Sequence, residues 1–331
     1  MTVNQTLSNF SDVAFQSAFI IYVLALVLSL VYYGRMQGVI DARRALARAE
    51  QKELVAVGDS GSTVLDDTPD LSEVERLEAG ANKFGGMTQA MVWLGVIVHS
   101  VSAVLRGLAT NRFPFGNLYE YVLVTTAFIM IGAALVIQRR EWRVVWPWLL
   151  VPILMLLFFG GTKLYADSAP VVPALQSNWL PIHVSIVSSG ASLGVLSGIA
   201  SLLYLLRIWQ PQGKEHGFFG AVAKPLPSAR KLDGMAYKTA ILTLPVFGLG
   251  IVLGAIWAEA AWGRFWGWDP KETVSFITWI VYAGYLHARA TSGWRNAAAA
   301  WINIIGFATM VFNLFFINMV VSGLHSYAGL N

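Results

Sequence analysis

The sequence predicts an all-α polytopic membrane protein with eight transmembrane helices and both termini on the outer, exoplasmic side. Three observations carry that reading. Hydrophobic residues make up 56% and charged residues 13% of the 331 positions, about half the charge of an ordinary soluble domain. Apolar runs of about 20 residues, the length that crosses a bilayer, recur along the chain. Lys and Arg collect in alternate connections between those runs, as the positive-inside rule requires. A soluble fold could not cover so much apolar surface with the polar groups available.

The runs are 11–34, 86–109, 118–137, 144–160, 181–208, 238–258, 272–290 and 297–321. No Lys or Arg precedes the first and no small-residue cleavage site follows it, so it is expected to persist as a span. The fourth is short and closes on Gly160-Gly161. Trp142, Trp146 and Trp148 at its start are expected to anchor it at the inner headgroup level, where amphipathic rings settle. With the N-terminus outside, segments 35–85, 138–143, 207–238 and 289–296 face inward and hold 18 of the 23 basic residues. Arg106, Arg112, Lys163, Arg264 and Lys271 stay outside. The net charge of +4 is therefore a topology signal, and no nucleic-acid partner is expected. Between the first two spans, Arg35 to Lys52 reads as a continuing helix. Asp59 to Thr63 and Asp66-Asp67-Thr68-Pro69 read as a flexible acidic linker. Three regions result: an N-terminal span (1–34), an inner loop (35–85) and a membrane domain (86–331) with a tryptophan-rich outer loop at 257–272.

The chain has no cysteine, which excludes disulfides, thiolate metal sites and a thiol nucleophile. In iron or thiol chemistry other molecules must bring the thiols, and the iron ligands must be His, Met or carboxylate. The topology gathers three unusual segments outside: the loop Trp262 to Glu272, His183 at the start of the fifth span, and His325 just after the eighth. Trp262, Trp266 and Trp268 crowd with Phe265 and Trp257 around Gly263 and Gly267. That density suits a platform for a large planar aromatic ligand, with interfacial anchoring as the alternative. Asp269-Pro270-Lys271-Glu272 has the form of a helix start, with a cap, a proline at the first position and a capping-box glutamate. Asp269 thus reads as a cap rather than a general acid, and no acid–base catalyst is expected. Arg264 and Lys271 beside that helix end would favour a ligand's carboxylates.

Imidazoles from two separate spans are a common way to hold haem iron, whereas zinc would want further ligands. His99 and His287 fall inside spans two and seven, where ionisable groups are functional candidates. His216 reads as solvated. His287 lies 18 residues beyond Asp269, about 27 Å along a helix, so it could serve only a second, inner site.

The run from Trp262 to Glu272 resembles the signature W-G-x-x-W-x-W-D-P-K-E of the haem-handling proteins of cytochrome c maturation, the WWD motif, and all eight defined positions agree. Phe113 to Glu120 resembles the outer-loop element F-P-x-x-N-L-Y-E of the CcsA/ResC type, the membrane component of the System II cytochrome c synthase. Tyr285 to Arg289 resembles its Y-L-H-x-R stretch. The likeness runs from about 86 to 331. It departs at Asn111-Arg112, where Gly-His is expected, and at Val274-Ser275-Phe276, where Trp-rich sequence is common. The resemblance implies that His183 and His325 are axial ligands of an outer haem over Trp262, Trp266, Trp268 and Asp269. It implies that His287 serves an inner haem site, whose second ligand comes from a CcsB/ResB-type partner. Haem b would then be a substrate in transit, presented to the Cys-x-x-Cys-His thiols of apocytochrome c by a holocytochrome c synthase (haem lyase) complex. A thioredoxin-like thiol reductant is a further implied partner, and a bacterial cytoplasmic membrane is expected ahead of a thylakoid. Competing readings are a haem exporter or chaperone that serves a separate ligase, a b-type respiratory electron-transfer subunit, and a solute transporter without cofactor.

Overall fold

A computed structural model describes residues 3–56, 70–171, 173–294 and 296–325. Among these the chain forms nine α-helices and no strand: α1 (Gln5–Ala56), α2 (Leu71–Thr110), α3 (Leu118–Val136), α4 (Trp146–Lys163), α5 (Trp179–Trp209), α6 (Gly217–Ala223), α7 (Ala229–Trp262), α8 (Pro270–Ala290) and α9 (Ala297–Phe312). Six of them, α1 to α5 and α7, are long and apolar enough to cross a membrane. Helix α9 is apolar but shorter, and runs directly into a π-helical turn at Asn313–Ile317. Helix α8 has 21 residues and carries charged or titratable groups near both ends, with Glu272 in its first turn and His287 and Arg289 in its last. The acidic linker at 59–69 lies outside the described residues, as do Ser326 and Tyr327.

Local chemistry sets the helix ends. Asp70 caps α2 by accepting from the Glu73 N–H at 2.7 Å, and Asn111 closes it in the left-handed conformation (φ 51°). Asn117 starts α3 by accepting from the Glu120 N–H at 2.8 Å. Helix α1 joins its apolar run to the basic stretch after Arg35 without a break, so its 52 residues extend about 78 Å.

Helices α1 and α2 pack as one long hairpin, while α5 is central, touching α3, α7 and α9. Lipid offers no hydrogen-bond partners, so polar groups within the bundle find one another. Asn303 donates to Ser197 Oγ at 2.8 Å and Ser201 Oγ at 2.7 Å, and the Tyr282 hydroxyl donates to Gly194 O at 3.1 Å. Trp146 differs from its expected role as an interfacial anchor. It is fully buried, and its indole N–H donates to Gln89 Oε1 at 3.0 Å. Packing against α2 gives both its ring and its polar tip a protein environment.

Two ionic nodes brace the ends of the bundle. At the end expected to face outward the buried Glu120 carboxylate accepts from Arg106 at 3.3 Å, Arg112 at 2.7 Å and the Gly116 N–H at 2.7 Å. Arg106 and Arg112 also donate to Ala166 O and Ala169 O, which fastens the 164–178 loop over α2 and α3. At the end expected to face inward Glu215 accepts from both Arg44 nitrogens at 3.0 and 2.9 Å and from Arg207 at 3.1 Å. Burial raises the Glu215 carboxyl, but Arg44 and the Gly213 N–H outweigh it and bring its pKa down to about 2.

Candidate functional site

His183 lies one turn into α5. Its Nδ1 is 2.8 Å from Gly250 O on α7, and its ring lies flat against Trp257, with centroids 5.9 Å apart and planes at 10°. A carbonyl oxygen can only accept, so Nδ1 carries the proton and Nε2 the lone pair. Gly254, one turn beyond Gly250, makes this approach possible: a Cβ there would fall 2.7 Å from His183 Cε1.

His325 follows the last helix. Its Nδ1 is 2.7 Å from Asp269 Oδ2, while Asp269 Oδ1 accepts from the Leu324 N–H at 2.8 Å. The carboxylate selects the same tautomer, with the lone pair on Nε2. Burial keeps the His325 imidazole below its ordinary pKa against the pull of Asp269, so the ring is neutral at pH 7. Burial acts to raise the Asp269 carboxyl, yet His325 and the Leu324 N–H hold it below the usual range. The His325 ring meets Trp257 at 5.7 Å and Trp262 at 5.0 Å, both edge-on. Both imidazoles therefore rest on one indole, and their separation is bounded by the two ring distances to Trp257.

Two cavities meet at this pair. The larger spans about 970 Å³ of space, part of it open to solvent. It runs from Phe265 and Trp266 at the outer loop to Val195 and Met310 within the bundle. Val195 lies 12 residues past His183, about 18 Å deeper along α5. The smaller, about 650 Å³, is walled by Phe115, Asn117, Leu180 and Trp257. Tyr121, His183, Val187, Lys271 and His325 line both. The π turn of α9 contributes Asn313, which donates to Ser275 Oγ at 2.7 Å; such turns often mark functional positions.

The tryptophan loop forms an edge-to-face cluster. Trp257 and Trp262 meet at 4.8 Å and 61°, and Trp266 and Trp268 at 5.7 Å and 90°, the arrangement that ring quadrupoles favour. Of the signature indoles, Trp266 lines the larger cavity. Trp262 backs Trp257 and His325. Trp268 adopts a left-handed backbone (φ 57°) and is 66% exposed.

Glu272 organises the turn before α8. It accepts from the Gly267 and Asp269 N–H groups at 2.9 and 3.0 Å and pairs with Arg264 at 3.2 Å. The capping box is present, and Asp269 adds to it the bond that orients His325. Arg264 is engaged by Glu272, so of the two cations expected to meet a ligand only Lys271 lines the cavities.

The remaining histidines stand apart. Helix α8 is unbroken between Pro270 and Ala290, so His287 lies at the opposite end from Asp269, and it lines neither cavity. His99 is fully buried, with Nδ1 3.4 Å from the Tyr22 hydroxyl. His216 precedes α6. Sequence reasoning missed Tyr121, Asn318 and the Gly250 carbonyl. None belongs to a recognisable spacing, and only the fold brings them together.

The fold and site together define a class, an all-helical membrane protein in which two histidines and an indole cluster stand at a shared pair of cavities. Residues 86–325 match the Cytochrome C assembly protein family. The chain is 33% identical over 255 residues to the cytochrome c biogenesis protein CcsA of Guillardia theta, covering 72% of this chain and 84% of that one. It is 33% identical over 242 residues to CcsA of Chlamydomonas reinhardtii, covering 69% and 64%. It is 30% identical over 275 residues to CcsA of Prochlorococcus marinus, covering 75% and 86%. The chain belongs to the cytochrome c assembly family as a CcsA-type member, and its role is cytochrome c biogenesis at a membrane.

Proposed function

We propose that this chain is the membrane subunit of a cytochrome c synthase, conducting haem b to the outer face and presenting it there to apocytochrome c. The supporting observation is the pairing of His183 and His325 against Trp257, each with Nδ1 tied and each lining the same cavities. Two neutral imidazoles hold the haem iron, Trp266 and Trp257 border the porphyrin, and Asp269 keeps His325 in register. The protein's contribution is orientation. The apocytochrome supplies the Cys-x-x-Cys-His thiols that this chain lacks, and a thioredoxin-like reductant keeps them reduced. His287 belongs to an inner haem site completed by a CcsB/ResB-type partner, and the inward arm of the larger cavity is consistent with a route between the two. Helices α8 and α9 complete eight spans in a bacterial cytoplasmic membrane, with both termini outside. A b-type electron-transfer subunit would need His99 and His287 paired at membrane depth, whereas His99 is enclosed against Tyr22 and neither lines the two cavities described.

The test is reconstitution with a CcsB/ResB-type partner and an apocytochrome c in a strain lacking other maturation systems. Wild type yields covalent holocytochrome. His183→Ala and His325→Ala each reduce it to below about a tenth, as expected when a ligand to the metal is lost. Normal holocytochrome in both variants overturns the assignment. Haem delivered outside without covalent attachment favours the exporter reading.

A further inference from the structure

We infer that Lys271 is the carboxylate anchor of the outer cavity, fixing which edge of the bound porphyrin lies at the first turn of α8; this rests on the haem reading above. The outer basic residues near the cavities divide sharply. Arg106 pairs with Glu120 at 3.3 Å and Asp12 at 3.5 Å, Arg112 with Glu120 at 2.7 Å, and Arg264 with Glu272 at 3.2 Å. Lys271 pairs with no carboxylate among the described residues. Its ammonium donates to the neutral amide oxygen of Asn318 at 2.6 Å and sits 5.3 Å above the Tyr121 ring.

The same side chain lines both cavities, as do His183 and His325. A cation in a mostly apolar cavity, hydrogen-bonded to a neutral acceptor and with Asp269 acting on it only beyond pairing distance, is under-compensated. An anionic group on the ligand supplies the missing charge through a short charge-assisted bond. The backbone of the α8 start cannot take that role, because Asp269 and Glu272 cap it from within. Haem carries its two carboxylates on one edge and its vinyl groups elsewhere on the ring. Fixing the carboxylate edge at Lys271 therefore orders the vinyl groups relative to the cavity mouth, which a symmetric pair of iron ligands cannot do alone.

The test uses the full-length purified protein, with ferric haem and its propionate dimethyl ester as probes and affinities read by absorbance titration. Wild type is expected to bind the free acid at least about tenfold more tightly than the ester, the worth of one charge-assisted hydrogen bond. Lys271→Met brings the free acid down to the level of the ester and leaves the ester unchanged, whereas Lys271→Arg retains the preference. Asn318→Leu removes the link between α8 and the α9 extension but keeps the cation, so the preference persists if Lys271 acts on the ligand. Equal binding of the two probes by wild type overturns the inference. So does a Lys271→Met variant that weakens both equally, the outcome of a purely structural lysine. His183→Ala lowers both probes alike, so failure of the iron-ligation reading shows separately as a His183→Ala variant that binds normally.

Discussion

At the inner end of the bundle Glu215 gathers Arg44 and Arg207 around one carboxylate, while at the outer end Lys271 sits beside two histidines with only a neutral amide to receive its protons. The inner node encloses no cavity described above. One carboxylate bridges two guanidiniums there, and its effect is to tie the C-terminal half of α1 to the turn after α5. The outer end holds a closed node of the same kind, Glu120 with Arg106 and Arg112, only a few residues from Tyr121 on the cavity wall. Guanidiniums paired with a carboxylate are thus scaffold at both ends, and the cation without a paired carboxylate lies at the cavity. A substitution in a node should cost stability and spare the ligand, and a substitution at the cavity should do the reverse.

The largest expected effect is at the inner node. Glu215→Ala leaves the buried Arg207 with backbone carbonyls but no carboxylate, which costs on the order of 3–5 kcal/mol, read as a lower unfolding midpoint with unchanged haem per folded molecule. The same residue sets a pH dependence. Its carboxyl is depressed from 4.5 to about 2, so its stabilisation is fully present above pH 4.5 and is lost as pH falls through about 2. The stability curves of wild type and Glu215→Gln should converge toward the acid end of that window, and a gap that stays constant from pH 6 to pH 2 would remove this assignment.

A middle-sized effect is expected at Asp269. Asp269→Asn preserves a capping oxygen but weakens the hold on His325 Nδ1. Haem affinity should fall about 10–100-fold with a much smaller change in unfolding midpoint; an equal loss of both would make Asp269 a cap and nothing more. The smallest effect separates two indoles of one loop. Trp268→Leu, at an exposed position off the cavities, should shift stability by within about 0.5 kcal/mol and leave haem affinity unaltered. Trp266→Leu should weaken binding measurably. Identical behaviour in the two variants would erase the distinction between cavity wall and outer rim.

Much of this arrangement is local and therefore legible in the chain. The apolar run at 118–137 places α3 within a residue, Asp269-Pro270-Lys271-Glu272 announces the start of α8, and the basic stretch after Arg35 reads as helix. What escaped depends on contacts between distant segments. Trp146 looks interfacial beside Trp142 and Trp148, and only Gln89 on another helix shows otherwise. Arg264 and Lys271 are equivalent as sequence, yet the turn carries one back onto Glu272 and sends the other into the cavity. Asn318 and Tyr121 are separated by most of the membrane domain, and the left-handed backbone at Trp268, which turns that indole outward, leaves no mark in residue type. His183 and His325 stood out in the sequence as a candidate pair, but their common contact with Trp257 did not.

Paired ligation is most directly tested by the absorption and spin-resonance spectra of ferric haem in the purified full-length protein. Two neutral imidazoles predict six-coordinate, low-spin iron in wild type, conversion to a high-spin form in His183→Ala and in His325→Ala, and return of the low-spin form when imidazole is added to either. A low-spin spectrum that survives both substitutions unchanged would contradict it.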